Sequence, residues 1–192
     1  MKPDTPFARV PRDKLPPALQ RAWDSSQKIH GDATFIEVFG NAPHMLDWYL
    51  KDYYEKVFYS GRLDRKIVEL VRLRLANIHG CAFCNRGDTI AALDAGVPQA
   101  QIDALDNYER GPFSEKEKAA LALADVMVLT NPKGYVTREL YARARAHFTD
   151  GEMVELGVIM AVLCGMAKMI FAYDLVEKMD SCPFVPERVA AE

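Results

Sequence analysis

Apolar residues return at three- and four-residue intervals along nearly the whole chain, and no stretch alternates apolar and polar positions long enough to predict a strand. The pattern predicts an all-α helical bundle. A first helix opens at Pro16-Pro17, where a missing N–H costs nothing, and runs through Leu19, Ala22 and Trp23 to about Ile29. A short segment follows near Thr34 to Phe39. Asn41 is the expected cap of a helix through Met45, Leu46, Tyr49, Leu50, Tyr53, Val57 and Phe58, which Ser60-Gly61 ends. The next helix begins near Leu63 and continues through Ile67, Leu70, Val71, Leu73 and Leu75 to about Ile78. Gly80 then supplies the positive φ for a turn.

From Cys81, or just after it, a further helix runs to Ala95 and stops at Gly96, and Val97-Pro98 leads into a short helix carrying Ile102 and Leu105. Ser114-Glu115-Lys116-Glu117 and Thr149-Asp150-Gly151-Glu152 are capping boxes, in which the hydroxyl and the glutamate each satisfy a free N–H of the first turn. They predict one helix to about Leu129 and another through Val154, Leu156, Val158, Ile159, Val162, Met166 and Ile170, with Thr137 opening a third between them. A short echo joins two of these helices: Ile67-Val68-Glu69-Leu70 returns 86 residues later as Met153-Val154-Glu155-Leu156. The spacing that leads from Glu69 to Cys81 leads from Glu155 to Ala167, so any shared chemistry would sit in the first copy alone.

A length of 192 residues suits one domain, expected over residues 15–180. Residues 1–14 hold three of the eleven prolines and read as an extended arm that orders by lying on something else, and residues 181–192 read as a tail. With 49% hydrophobic and 27% charged residues, the chain can both bury a core and cover it. Its net charge of −3 offers no basic face for nucleic acid. The start, Met1-Lys2-Pro3-Asp4-Thr5-Pro6, lacks the apolar core of a signal peptide, and the longest apolar run, Gly157 to Ala167, is shorter than a bilayer span. The expectation is a cytoplasmic protein with no membrane partner.

Four cysteines are too few for a disulfide-stapled scaffold, but two of them form Cys81-Ala82-Phe83-Cys84. Cysteines three apart in a helix's first turn share a face, and the free N–H groups and dipole there favour a thiolate, with Arg86 adding positive charge. In a reducing compartment such a pair performs redox chemistry, binds metal, or lies buried and inert. Zinc would need four ligands, and only His79 and Asp88 lie nearby with no second CxxC, so the redox reading leads and no metal is expected.

Glu69, twelve residues before Cys81, then the helix ending Ala76-Asn77-Ile78-His79-Gly80, then Cys81-Ala82-Phe83-Cys84 and Ala95-Gly96-Val97, resemble the alkyl hydroperoxidase D-like branch of the carboxymuconolactone decarboxylase family. The resemblance runs from about Phe35 to Tyr173 and includes the Phe148-Thr149-Asp150 entry to the last long helix. It implies an all-α bundle assembling into trimers or larger homo-oligomers. It also implies a dithiol that reduces peroxides or disulfides and is restored by an external dithiol, with no cofactor. Carried over by position, Cys84 is the thiol that meets peroxide, Cys81 closes the disulfide and Glu69 relays protons. Two positions depart from the family's pattern: Asp88 stands where a histidine is usual, and Phe83 replaces a histidine between the cysteines.

An aspartate ordinarily titrates at about pH 3.9 and donates no proton at neutrality unless burial raises it substantially. His79, two residues before Cys81, is the candidate substitute as acid or base. Asp88 is alternatively an exposed helix charge or a partner for Arg86 or Arg72. Since twelve helical residues span ~18 Å, Glu69 approaches the thiols only if the chain reverses around His79-Gly80. Trp48, Tyr49, Tyr53, Tyr54 and Phe58 read as core and subunit contact, with one or two lining a thiol pocket. Met160, Met166, Met169 and Cys164 read as packing, Cys182 as lying near a mobile end, and His30, His44 and His147 as scattered. No phosphate loop, dinucleotide fingerprint or Ser-His-Asp arrangement is present. Two other readings stay open: a lyase using Arg72, Arg74 and His79 on a carboxylated lactone, and a helical oligomer whose thiols are inert or act as a sensor.

Overall fold

The computed structural model describes residues 1–185, and among them there are helices and no strand. In chain order these are α1 (Pro17–His30), α2 (Thr34–Phe39), α3 (Pro43–Asp47), α4 (Arg65–His79), α5 (Ala82–Asp94), α6 (Gln99–Asp103), α7 (Glu115–Met127), α8 (Arg138–Arg145) and α9 (Asp150–Ala172). Both capping boxes form as expected, and Thr137 caps α8 by accepting the Leu140 N–H at 3.1 Å. α4 starts two residues later than expected. The Asp64 carboxylate accepts the Lys66 N–H at 2.9 Å and sets the first turn, which leaves Leu63 buried just ahead of it.

Asn41 does not cap α3. Its amide donates instead to the carbonyls of Ala8 at 2.7 Å and Val38 at 2.9 Å, tying the arm to the end of α2. α3 also does not continue as an ordinary α-helix. Trp48–Phe58 is a π-helix, and the Tyr59 N–H closes it by donating five residues back to the Tyr54 carbonyl at 2.8 Å. The wider turn brings Tyr49, Tyr53 and Phe58 into the core, where the Tyr53 hydroxyl donates to the Ile159 carbonyl at 3.0 Å.

α4 is the central element. Val68, Leu70, Val71 and Leu73 are all buried, and with them the charged Glu69 and Arg72, because α5, α7 and α9 pack around the helix. After His79 the chain reverses at Gly80, which takes φ 66°. A Cβ there would stand 2.5 Å from the Cys182 Cα, so both backbone conformation and space demand glycine. α9 is long and apolar enough to cross a membrane, yet its buried side, including Leu156, Ile159 and Met160, belongs to the core against α4 and α7.

The arm over residues 1–14 lies along other elements. The Val10 N–H donates to the Glu37 carbonyl at 3.0 Å, and Met1 and Lys178 exchange main-chain bonds of 2.7 and 2.9 Å. The segment after α9 is packed against the start of α5: the Phe83 N–H donates to the Glu177 carbonyl and the Met179 N–H to the Gly80 carbonyl. Cys182, expected near a mobile end, is buried there with its thiol donating to the His79 carbonyl at 3.1 Å. Of the expected tail, residues 186–192 lie outside the described residues.

Candidate dithiol site

Cys81 is the N-cap of α5, and its Sγ accepts the Cys84 N–H at 3.1 Å. The cap geometry and the three-residue spacing put the two sulfurs on one side of the first turn, where they are joined as a disulfide with Cα atoms 5.2 Å apart. Cys81 is buried and Cys84 is half-buried, so Cys84 is the sulfur that a reactant meets first. The positive end of the helix dipole faces both. Arg86 adds less than its position promised, because its guanidinium pairs with Glu177.

The disulfide forms part of the wall of a cavity of about 330 Å³. Phe35, Ile36, Leu163, Met166 and Ile170 make most of that wall apolar, and His30, Tyr54, Arg72, His79 and Asp88 bring polar groups into it. The aromatic π-helix thus contributes Tyr49 and Tyr54 to the lining as well as packing the core.

Behind the cavity lies a buried charge cluster. Arg72 Nη2 stands 2.7 Å from Glu69 Oε2, and Arg72 Nε stands 3.1 Å from Asp88 Oδ1. The Tyr59 hydroxyl donates to Glu69 Oε1 at 2.9 Å, and the Arg72 guanidinium lies over the rings of Phe58 and Tyr54 at 5.0 and 5.7 Å. One cation therefore faces two carboxylates. Burial works against the charge on Arg72, but Asp88 and Glu69 outweigh it and hold the guanidinium protonated. Burial raises the Glu69 carboxyl, with Arg72 and the Tyr59 hydroxyl opposing. Asp88 is pushed up to about 6, first by burial, with Arg72 pulling it down and Glu69 adding repulsion. Burial thus brings the titration of Asp88 to just below neutrality, although at pH 7 the carboxylate paired with Arg72 still predominates.

Of the residues singled out in the sequence, Cys81, Cys84, Asp88 and His79 share the cavity wall. Glu69 does not line it and reaches the cavity only through Arg72 and Asp88. The chain reversal at Gly80 makes that link possible by laying α5 against α4. His79 is buried, and its Nε2 accepts the Leu129 N–H at 3.0 Å; burial lowers its pKa to about 4. Its ring is a neutral structural link between α4 and the end of α7.

His30, which the sequence offered only as one of three scattered histidines, also enters this cavity. It is the last residue of α1, and its ring stacks on Phe83, between the two cysteines, with centroids 3.7 Å apart. A Cβ at Gly87, one turn after Cys84, would meet the same ring at 3.5 Å. No local spacing links position 30 to position 84. The available hint was a glycine in the interior of α5, where close approach by another group is a common reason for the missing side chain.

With this geometry in hand, comparison with known proteins is decisive for the family. The Carboxymuconolactone decarboxylase family matches residues 45–126, which hold the π-helix, α4, the CxxC turn and most of α7. The uncharacterized protein YdfG of Bacillus subtilis (strain 168) is 34% identical over 107 residues, covering 55% of this chain and 72% of that protein. The chain belongs to the carboxymuconolactone decarboxylase family. Within that family its fold is of the AhpD-like kind. A crystal structure of ATU0492 from Agrobacterium tumefaciens, a protein of unknown function suggested to be the antioxidant defence protein AhpD, superposes with a TM-score of 0.62 at 24% identity, over 70% of this chain and 91% of that one. An uncharacterized peroxidase-related protein from Ralstonia eutropha JMP134, described as an alkylhydroperoxidase AhpD core, gives 0.66 at 15% identity over 95% and 97%. At these identities the two structures speak for the fold.

Proposed function

We propose that this carboxymuconolactone decarboxylase family member is a dithiol oxidoreductase that reduces peroxides or disulfides through Cys81 and Cys84. The observation that carries this reading is the Cys81–Cys84 disulfide at a helix N-terminus in the wall of an apolar cavity. Reduced Cys84 attacks the O–O bond of a peroxide and becomes a sulfenic acid, releasing the alcohol. Cys81 displaces hydroxide from that sulfur as water and closes the disulfide, and an external dithiol reduces it again. A disulfide substrate enters by the same sulfur through exchange. Asp88, raised to about 6 and backed by Arg72 and Glu69, titrates just below neutrality and is placed to exchange protons with the cavity.

The lyase alternative lacks support here. A carboxylated lactone needs a free cation, and Arg72, the lysine or arginine of the cavity lining, is engaged by two carboxylates. The same reading includes a cytoplasmic homo-oligomer, a trimer or a multiple of it. Exposed Val154 and Val158 on the outer face of α9 favour self-association.

The test is steady-state consumption of cumene hydroperoxide with dithiothreitol as reductant. Wild type turns over, and Cys84→Ser and Cys81→Ser both stop. Turnover surviving in Cys84→Ser would refute the assignment.

A further inference from the structure

His30 is the group at this cavity that the function above leaves unused. Its Nδ1 is buried without a hydrogen-bond partner among the described residues. Of the other acid–base groups, His79 Nε2 is taken by the Leu129 N–H, and Asp88, which exchanges protons with the cavity, is held against Arg72. The ring lies flat on Phe83 at 3.7 Å and beside Gly87, so α1 delivers an imidazole to the turn of α5 that follows Cys84. The imidazole thus stacks on Phe83 and shares the cavity with Cys84 and Asp88.

We propose that His30 is the proton-transfer group of the dithiol, accepting the Cys84 thiol proton as the sulfur attacks and returning it to the leaving group. This rests on the dithiol reading above. With an organic hydroperoxide, the thiol proton passes to the imidazole, the S–O bond forms as the O–O bond breaks, and the departing alkoxide takes the proton from the imidazolium. The products are Cys84 sulfenic acid, an alcohol and neutral His30. The two electrons come from the thiolate sulfur.

The surroundings keep the ring uncharged. Burial, and then the positive charge of Arg86 on α5, lower the pKa of His30 to about 4, while Asp32 just after α1 and Glu177 from the segment after α9 pull it up and Lys2 of the arm pushes it down. Arg72 and Asp88 face the same cavity from α4 and α5. The ring is therefore neutral at pH 7, a weaker base than free imidazole, and takes the proton only in concert with attack by the sulfur.

The experiment reads proton transfer without requiring peroxide turnover. Reduced wild type, His30→Phe, which keeps the stack on Phe83, and His30→Gln are alkylated with iodoacetamide from pH 5 to pH 9.5, and the Cys84 peptide is followed by mass spectrometry. Cumene hydroperoxide consumption is measured on the same samples. The expected result is a broad, nearly pH-independent wild-type rate across neutrality. In both variants the rate drops at least ten-fold at pH 7 and climbs with the thiol's own ionisation, at about 8.5, so that the gap closes by pH 9.5. Variants whose pH profiles parallel the wild type, whether offset or not, overturn the proposal even if peroxide is consumed. A shifted alkylation profile in a protein that consumes no peroxide upholds His30 as the base and sinks the peroxidase reading instead.

Discussion

The helices α4 and α9 open on the same apolar pattern around a glutamate, yet the two glutamates have opposite fates. Glu69 is fully buried, 2.7 Å from Arg72 and hydrogen-bonded to Tyr59. Glu155 stays partly open to solvent, beside Ser60 and the exposed guanidinium of Arg62, also at 2.7 Å. The distances are equal and the surroundings are not. The middle of α4 is enclosed by α5, α7, α9 and the π-helix aromatics, so Glu69 and Arg72 cannot be solvated and must neutralise one another or hold a proton. α9 leaves one face open, and water screens its pair. The thiols divide in the same way. Cys81 and Cys84 occupy a helix N-terminus on a cavity, whereas Cys164 lies inside α9, donates to the Met127 carbonyl, and is pushed up to about 11 by burial. A motif of four residues thus predicts a helix start in both places, and the packing around it decides which copy becomes chemistry.

Removing the shared cation should have the largest effect. Arg72→Met leaves Glu69 and Asp88 facing each other in a buried space, and a loss of about 3–5 kcal/mol in urea denaturation at pH 7 is expected, with part recovered on acidification as the carboxylates take up protons. Asp88→Asn should show a smaller, pH-bound effect. The folded pKa of Asp88 is raised to about 6, so its contribution to stability is full below its unfolded value of about 4 and is lost as pH rises through about 6. The stability difference between wild type and Asp88→Asn should therefore move in favour of the asparagine as pH goes from 4 to 7. A flat difference would mean that Asp88 stays ionised throughout. On the α9 side, Glu155→Gln should cost about 0–1 kcal/mol and less still in high salt. Cys164→Ala should leave thiol oxidation unchanged, as judged by the peroxide consumed per protein.

Much of the frame was legible in the sequence. Capping boxes at Ser114 and Thr149, proline at the start of α1 and glycine at position 80 are local signals, and each needs only its own few residues to act. The CxxC and its helix-capping position were legible for the same reason. The π-helix was not, since its apolar spacing reads as an ordinary helix and only packing against Ile159 and α4 reveals the wider turn. Asn41 misled because the arm competes for its amide, a contact 33 residues away. Arg72 was visible as a possible partner of Asp88, but its place between two buried carboxylates follows from α5 folding back on α4. His30 was hidden by the same cause: it lies 54 residues before Cys84, and the packing of α1 against α5 joins them.

The most direct test of the dithiol chemistry is stoichiometric. Fully reduced protein is given half an equivalent of cumene hydroperoxide under anaerobic conditions, and free thiols and disulfide-linked peptides are then counted by mass spectrometry. Two thiols should be lost per peroxide, all of them in the Cys81–Cys84 peptide, with Cys164 and Cys182 still reduced. Oxidation spread over Cys164 or Cys182, or four thiols surviving with the peroxide unspent, would contradict a Cys81–Cys84 couple.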